Sequence, residues 1–449
     1  MRLARYWVAR ALSIGLGAIA LITSAATPAF AQNTAQLPLQ FDFLPPGARS
    51  VGMGSAFIAA ADDATAAFTN PAGLARLSRR EISGELRFKR LDTPFLFGGR
   101  ITGTVTNTGL DSIPNPIYRT DTDDQFGPAF ISFLWPIGSR ASVIGYRHEV
   151  ATIENTYFSQ GVFERAVELG VVDDRTRTTP TGGSREVKIR NYGGSVGYKL
   201  TDKVSVGGGV SFYQFHLEAD FARFGILGDF AGQPNLNLIT ATATQRGDDW
   251  TASFNVGALV DVAPRVKAGV TYRRGPSFTF TQADVAASID LDLFRTGKFK
   301  VPDVFGLGVQ WRASEALRVV MDYDRVNYAQ LKTDFIDFQS LISKRPEQLR
   351  IDDGNEFHLG AEYLFPNAPI PLAIRGGWWH DPDHVVRYEP TAANDDIDKL
   401  FVATLPGGSS QEHVTFGAGV APTRWLELNG AADLASKTKY VTFSVVIRY

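Results

Sequence analysis

Lys439–Tyr449 reads KYVTFSVVIRY. Val441, Phe443, Val445, Ile447 and Tyr449 fall on one face of a β-strand, and Thr442, Ser444 and Arg448 fall on the other. A strand with an apolar face and a polar face suits a barrel wall that meets lipid outside and a polar lumen inside. Such a strand must also pair with the first one, because lipid offers no hydrogen bonds to a free edge. An edge strand of a soluble sandwich alternates in the same way, so the rest of the chain has to decide between the two.

At the other end, Arg2, Arg5 and Arg10 precede the apolar run 11–22, and Ala29-Phe30-Ala31 supplies small residues around a cleavage point before Gln32. Residues 1–31 therefore read as a secretory signal peptide, because the apolar core is too short to span a membrane. No later segment approaches eighteen uncharged apolar residues, so helical membrane spans are not expected. Export and an alternating terminal strand together point to the bacterial outer membrane.

Composition narrows the chemistry. The chain has 449 residues, 44% of them hydrophobic, with 43 glycines, no cysteine and a formal net charge of −2. Without cysteine there is no disulfide scaffold and no thiol nucleophile. Balanced charge argues against a nucleic-acid partner.

Six short turns punctuate alternating segments, around Pro136–Arg140, Leu200–Lys203, Asp261–Arg265, Arg312–Glu315, Pro366–Ile370 and Ala421–Arg424. With a first strand at Arg80–Leu91 and a last at Lys437–Tyr449, the flanking segments number fourteen. Between the hairpins lie long polar stretches, roughly 92–125, 151–184, 219–247, 282–300, 331–352 and 382–409, expected as irregular extracellular loops. Short turns on one side and long loops on the other give the asymmetry of an outer-membrane barrel. In the strands, Val204, Val206, Val210 and Phe212 oppose Ser205, Gly207, Gly209 and Ser211, and Phe357, Leu359, Ala361 and Tyr363 oppose Glu356, His358 and Glu362. Charged faces belong in the lumen. Trp135, Trp311, Trp425 and Phe365 each sit beside a short turn, as an interfacial aromatic girdle requires. The fold class is thus all-β: a fourteen-stranded antiparallel transmembrane β-barrel over residues 80–449.

Residues 32–79 do not read as strand. Pro45-Pro46-Gly47 breaks the chain, Ala59–Phe68 suits a short helix, and Asn70-Pro71-Ala72-Gly73-Leu74 turns it before the first strand. The segment is too short for a domain and is expected inside the lumen as an N-terminal hatch, or plug. Gly52-Met53-Gly54 is not a phosphate loop, since no strand precedes it and no GK[ST] follows.

GARSVGMGSAF followed by ADDATAAFTNPAGLA resembles the N-terminal hatch of the FadL/TodX family of outer-membrane transporters for hydrophobic compounds. Phe130–Tyr146, Tyr198–Tyr213, Gly247–Tyr272, Val301–Tyr328 and Glu356–Trp378 are similar to that family's hairpins. The resemblance implies passive uptake, with long-chain fatty acids the expected substrate and aromatic hydrocarbons also suited. The ligand would meet an apolar groove between loops, enter a lumen pocket above the hatch, and leave sideways through a gap made by a kink in the third strand. It implies no cofactor. Outer-membrane lipid receives the ligand, and the barrel-assembly machinery is expected to read the C-terminal strand 439–449.

On that resemblance Asn70, Pro71 and Ala72 are the hatch residues that meet the kinked strand, although an Asx-Pro turn serves equally well to start the barrel. The kink is expected within Ala141 to about Tyr157, yet His148–Asn155 (HEVATIEN) contains neither Gly nor Pro. Phe158, Val162, Phe163, Ala166, Val167 and Leu169 have helical spacing, and Phe221, Phe224, Ile226, Leu227 and Phe230 make a second apolar cluster. These residues are the expected entry groove; the competing reading is two loops that pack together as a cap. His380-Asp381-Pro382-Asp383-His384 reads as a solvated turn in preference to a metal site. His358 and Glu356 share a lumen face, but no serine joins them, so no enzyme is expected. The alternative function on the same fold is a PorV-like barrel that holds secreted protein cargo, whose N-terminus GARSVGMG, ADDA and NPA also resemble.

Overall fold

The computed structural model describes residues 44–168, 171–177, 180–228, 232–286, 290–332, 348–390 and 396–449. The expected signal peptide, residues 1–31, and hatch residues 32–43 lie outside the described residues, as do Leu169 and Phe230. In chain order the strands are β1 (Glu81–Gly99), β2 (Pro116–Ile137), β3 (Ala141–Ser159), β4 (Phe163–Glu168), β5 (Val171–Arg177), β6 (Thr181–Lys199) and β7 (Val204–Ile226). There follow β8 (Pro234–Ala263), β9 (Val266–Arg273), β10 (Ser277–Ala286), β11 (Leu291–Lys300), β12 (Val304–Arg312), β13 (Leu317–Val326) and β14 (Leu349–Arg350). The last are β15 (Gly354–Leu364), β16 (Leu372–Asp381), β17 (Arg387–Tyr388), β18 (Gln411–Thr423), β19 (Leu426–Leu434) and β20 (Thr438–Arg448).

Fourteen of these, β1–β3, β6–β9, β12, β13, β15, β16 and β18–β20, pair in sequence order into a closed antiparallel barrel. Closure is made by β20, which pairs with β1 from Glu81↔Arg448 to Leu91↔Thr438. Along β20 the outward residues Phe443, Val445 and Ile447 are exposed while Thr438, Thr442 and Ser444 are buried, as the alternation predicts. Neither β1 nor β20 leaves its facing edge open along this ladder. Trp135, Trp311, Trp425 and Phe365 all lie exposed next to short turns, and Arg80 stacks its guanidinium 3.5 Å from the Trp135 ring.

Four of the long stretches expected as irregular loops, 92–125, 151–184, 219–247 and 282–300, are largely strand, whereas among the described residues 331–352 and 382–409 each contribute only two strand residues. The β1/β2, β3/β6 and β7/β8 ladders run on to Gly99, Ser159 and Ile226, well past the apolar band. Once the outer face is in water, polar residues such as Thr120, Thr122 and Asp124 satisfy it, so polarity there does not signal loop. The segment Phe158–Val167, expected as helical, is the end of β3 followed by β4, which forms a small hairpin with β5. The β10/β11 hairpin continues the β9/β12 pair after breaks at 274–276 and 301–303, where Pro276 and Pro302 have no N–H for the ladder.

Inside the barrel, residues 44–79 run as a one-turn helix (Ala48–Val51), turns, a second one-turn helix (Ala66–Thr69) and a 3₁₀ helix (Pro71–Arg76). Of the expected helix over 59–68, only its end is α-helical; residues 59 and 60 lie in a turn and 61 and 62 in irregular backbone. The hatch meets the wall backbone to backbone, which only glycine permits. A Cβ on Gly207 would lie 2.2 Å from the Pro71 carbonyl carbon, and one on Gly360 would lie 2.1 Å from the Met53 oxygen.

Candidate functional site: a window in the barrel wall

Strands β2 and β3 pair only from Ile137↔Ala141 up to Phe130↔His148. Above that point the ladder stops, although β2 stays paired with β1 and β3 with β6. Two irregularities part the strands. The β3/β6 register slips between Glu149 and Ala151, which leaves Val150 as a bulge, and the β1/β2 register slips at Leu86 opposite Ala129. A bulge bends its strand and needs neither Gly nor Pro. The irregularity therefore lies at Val150, inside the Ala141 to Tyr157 span in which a kink is expected, even though HEVATIEN holds neither Gly nor Pro.

The two strands meet again higher up through side chains. Asp123 Oδ2 accepts from the Glu154 N–H at 2.9 Å, and Asp121 Oδ2 accepts from the Thr156 N–H at 3.0 Å. Between this lintel and the His148 sill lies a cavity of about 430 Å³. Its lining carries five basic residues (Arg87, Lys89, Arg147, Lys188, Arg190), three acidic ones (Asp124, Glu149, Glu154) and apolar ones including Leu44, Phe126, Val150 and Ile153. Arg147 and Arg190 share Glu149, Arg190 at 3.3 Å, and Lys188 reaches Glu154 at 3.5 Å.

Val150 and Ile153 also belong to the large apolar cluster of the upper lumen, with Leu91, Phe95, Tyr157, Phe215, Phe221, Phe278 and Phe299. There Phe215 stacks on Phe278 at 4.7 Å and on Phe299 at 5.4 Å. An apolar interior thus ends at a charged window. Beneath it, Phe68 of the hatch packs edge-on against His148 at 4.5 Å.

Asn70, Pro71 and Ala72 are buried against β6–β8. Asn70 Nδ2 donates to the Ile58 oxygen at 3.0 Å and the Ala258 oxygen at 3.3 Å, while its Oδ1 caps the Ala72 N–H at 3.2 Å. The contact with the kink is made instead by Phe68, two residues earlier, a partner that no pattern in the sequence marks. The groove candidates do not form one surface. Val162 and Phe163 are buried beneath the outer hairpins, where Arg100 and Arg177 lie over the Phe163 ring at 5.8 and 5.2 Å. Phe221 points into the lumen cluster. Phe158 meets Phe224 at 6.0 Å on the outer side, Ile226 is half-buried, Leu227 is exposed, and Val167 pairs with Val172 in β4/β5. His384 and Asp381 are buried, His384 stacked on Tyr328 at 4.1 Å, while His380, Pro382 and Asp383 are half-buried, so the turn is solvated only in part.

Comparison with known proteins places this geometry. A sequence profile described as "Outer membrane protein transport protein (OMPP1/FadL/TodX)" matches residues 139–421. The chain belongs to this family. Members of the OMPP1/FadL/TodX family are outer-membrane transport proteins, which agrees with a closed fourteen-stranded barrel at that membrane. Solved structures share the fold. A Pseudomonas aeruginosa FadL homologue is 13% identical with a TM-score of 0.59, over 92% of this chain and 99% of that one. The Ralstonia pickettii toluene transporter TbuX is 16% identical with a TM-score of 0.57, over 91% and 99%. The Pseudomonas putida toluene transporter TodX is 13% identical with a TM-score of 0.54, over 91% and 99%. No curated protein matches the sequence.

Proposed function

We propose that this family member takes up long-chain fatty acids and releases them into the outer membrane through the β2/β3 window. The observation that carries the reading is the meeting of the lumen's apolar cluster with a window whose cavity lining holds five basic side chains and three acidic ones. An acyl chain suits the first and its carboxylate the second, through charge-assisted hydrogen bonds. A monoaromatic hydrocarbon has no group that uses Lys188 or Arg190. Transfer needs no energy input, because partition from water into apolar surroundings is favourable by about 0.8 kcal/mol per methylene. The hatch gates from below, with Phe68 on His148, while Asn70, Pro71 and Ala72 anchor it to the wall. The outer hairpins over Phe163 and the Phe158–Phe224 pair form the entrance.

The test is growth on oleate of a Gram-negative host that lacks its own fatty-acid channel, with surface-located, heat-modifiable protein confirmed in the same cells. Wild type should restore growth. Lys188→Gln combined with Arg190→Gln should slow oleate uptake and leave toluene entry unchanged. No growth with a folded barrel would refute the fatty-acid reading, and co-purified secreted protein in that case would support cargo holding.

A further inference from the structure

On the far side of the hatch from the window, β13 and β15 place Asp324 directly opposite Glu356 and Asp322 directly opposite His358. Like charges at facing positions of neighbouring strands are destabilising unless something between them is positive. Asp322 is already committed to the hatch, where its Oδ2 accepts from the Phe57 N–H at 2.5 Å and the Ile58 N–H at 2.7 Å.

His358 is 7% exposed. Its Nδ1 lies 2.9 Å from the Gly54 carbonyl of the hatch, a contact that requires a proton on Nδ1. That bond turns the second ring nitrogen, Nε2, towards the two carboxylates. Nε2 stands 3.6 Å from Glu356 Oε2 and 3.7 Å from Asp324 Oδ2, and it has no hydrogen-bond partner. Both separations exceed hydrogen-bond length. They match the distance between two ligands of one ion: tetrahedral bonds of about 2.1–2.2 Å, as for zinc with nitrogen and oxygen donors, set ligands about 3.4–3.6 Å apart.

The three ligand atoms all lie within 4.8 Å of one another, around a cavity of about 40 Å³. A space of roughly 10–15 Å³ already accepts a water, so an ion with one water fits. The supporting contacts are those a metal site uses: a backbone carbonyl holds the imidazole tautomer, and Tyr328 Oη donates to Glu356 Oε1 at 2.7 Å. Arg273, which also lines the cavity, carries one positive charge against three carboxylates, with its guanidinium 4.3 Å from the centre of the Phe68 ring.

We propose that Asp324, Glu356 and His358 bind a divalent first-row metal ion, for which Zn²⁺ is the fitting case. The ion joins β13 to β15 and, through the His358–Gly54 bond, pins the hatch to the wall. Ligation at Nε2 makes the Nδ1 proton a stronger donor to Gly54, so metal binding tightens the hatch.

The experiment uses full-length, tag-free protein in detergent, stripped with a chelator and then dialysed against Zn²⁺ or Co²⁺. Wild type should retain one metal per chain and show the intense visible bands of low-coordinate Co²⁺. His358→Gln and Glu356→Gln should each lose both, and His380→Gln, on an exposed strand face, should lose neither. Hydrogen exchange of the hatch peptide around Gly54 should slow when wild type is loaded. Wild-type protein that is folded by heat-modifiability yet binds no more metal than His358→Gln overturns the proposal, as does a Co²⁺ spectrum of the aqua ion alone. In either case His358 serves only to hold the hatch through its bond to Gly54. The wild-type stoichiometry and spectrum decide even if a variant fails to fold.

Discussion

At the scale of single residues, the hatch depends on side chains that are missing as much as on those present. Gly207 and Gly360 let hatch backbone touch wall backbone, and a methyl group at Gly207 would overlap Pro71. Gly207→Val should therefore displace the hatch and raise hydrogen exchange across residues 66–76. Gly84→Val, with open space around the added carbon, should leave exchange unchanged. Asp63 is a second sensitive point. Burial within the hatch pushes its carboxyl up to about 6, although Thr65 donates to it through its N–H at 2.9 Å and its hydroxyl at 2.5 Å. A folded-state value above the unfolded one means that the protonated form is favoured in the hatch. The cost of ionisation is then absent below about pH 4, grows as pH rises to about 6, and is complete above that. Asp63→Asn should slow hatch exchange relative to wild type at pH 7.5 and make no difference at pH 4. An equal effect at both values would contradict this account.

Among the elements, β3 is the one whose departure from regularity has a consequence. One surplus residue, Val150, slips the register against β6 and turns the strand away from β2. Deleting Val150 should let the β2/β3 ladder run on past His148. Two restored bonds at about 1 kcal/mol each hold the window shut by a factor of about thirty. Oleate uptake should fall accordingly while the protein stays heat-modifiable; undiminished uptake would send the exit route elsewhere. The existence of β3 and its place in the chain are legible from Ala141–Tyr146 and the turn before it. The bulge is not, because Val150 looks like any other strand residue, and its surplus shows only when two neighbouring registers are counted. The outer hairpins escape a sequence reading for a related reason. The polar run 92–125 reads as loop if strands are sought by an apolar face, yet a strand above the membrane has none.

For the molecule as a whole, closure decides stability. Residues 439–449 supply β20, which satisfies β1 on one side and β19 on the other. Removing them should leave two unpaired edges, each unsatisfied backbone group costing several kcal/mol in lipid. The truncated chain should show no heat-modifiable band, whereas Tyr449→Phe should fold normally. The hatch is joined to this wall by charges as well as by glycine contacts. Arg49 bridges Asp62 at 2.5 Å and Glu362 at 3.0 Å, and Arg318 and Arg375 complete the cluster at 2.9 and 2.8 Å. Hatch and barrel are consequently one unit, even though the polar lumen residues look, in sequence, like the lining of an open pore.

The strand alternation, the six short turns and the aromatic residues beside them were enough by themselves to specify a fourteen-stranded barrel, because lipid enforces a period of two on every strand it touches. Asn70-Pro71-Ala72 was legible as a hatch turn for a similar reason: its chemistry is local. Three things waited for the tertiary structure. The window depends on two ladders falling out of step, Phe68 rather than Asn70 touches the kink because the hatch is anchored to β6–β8, and Asp324, Glu356 and His358 converge only when β13 and β15 pair. Each is a relation between segments distant in the chain. Periodicity reports which face a residue takes, and only the closed barrel decides which residue stands across from it.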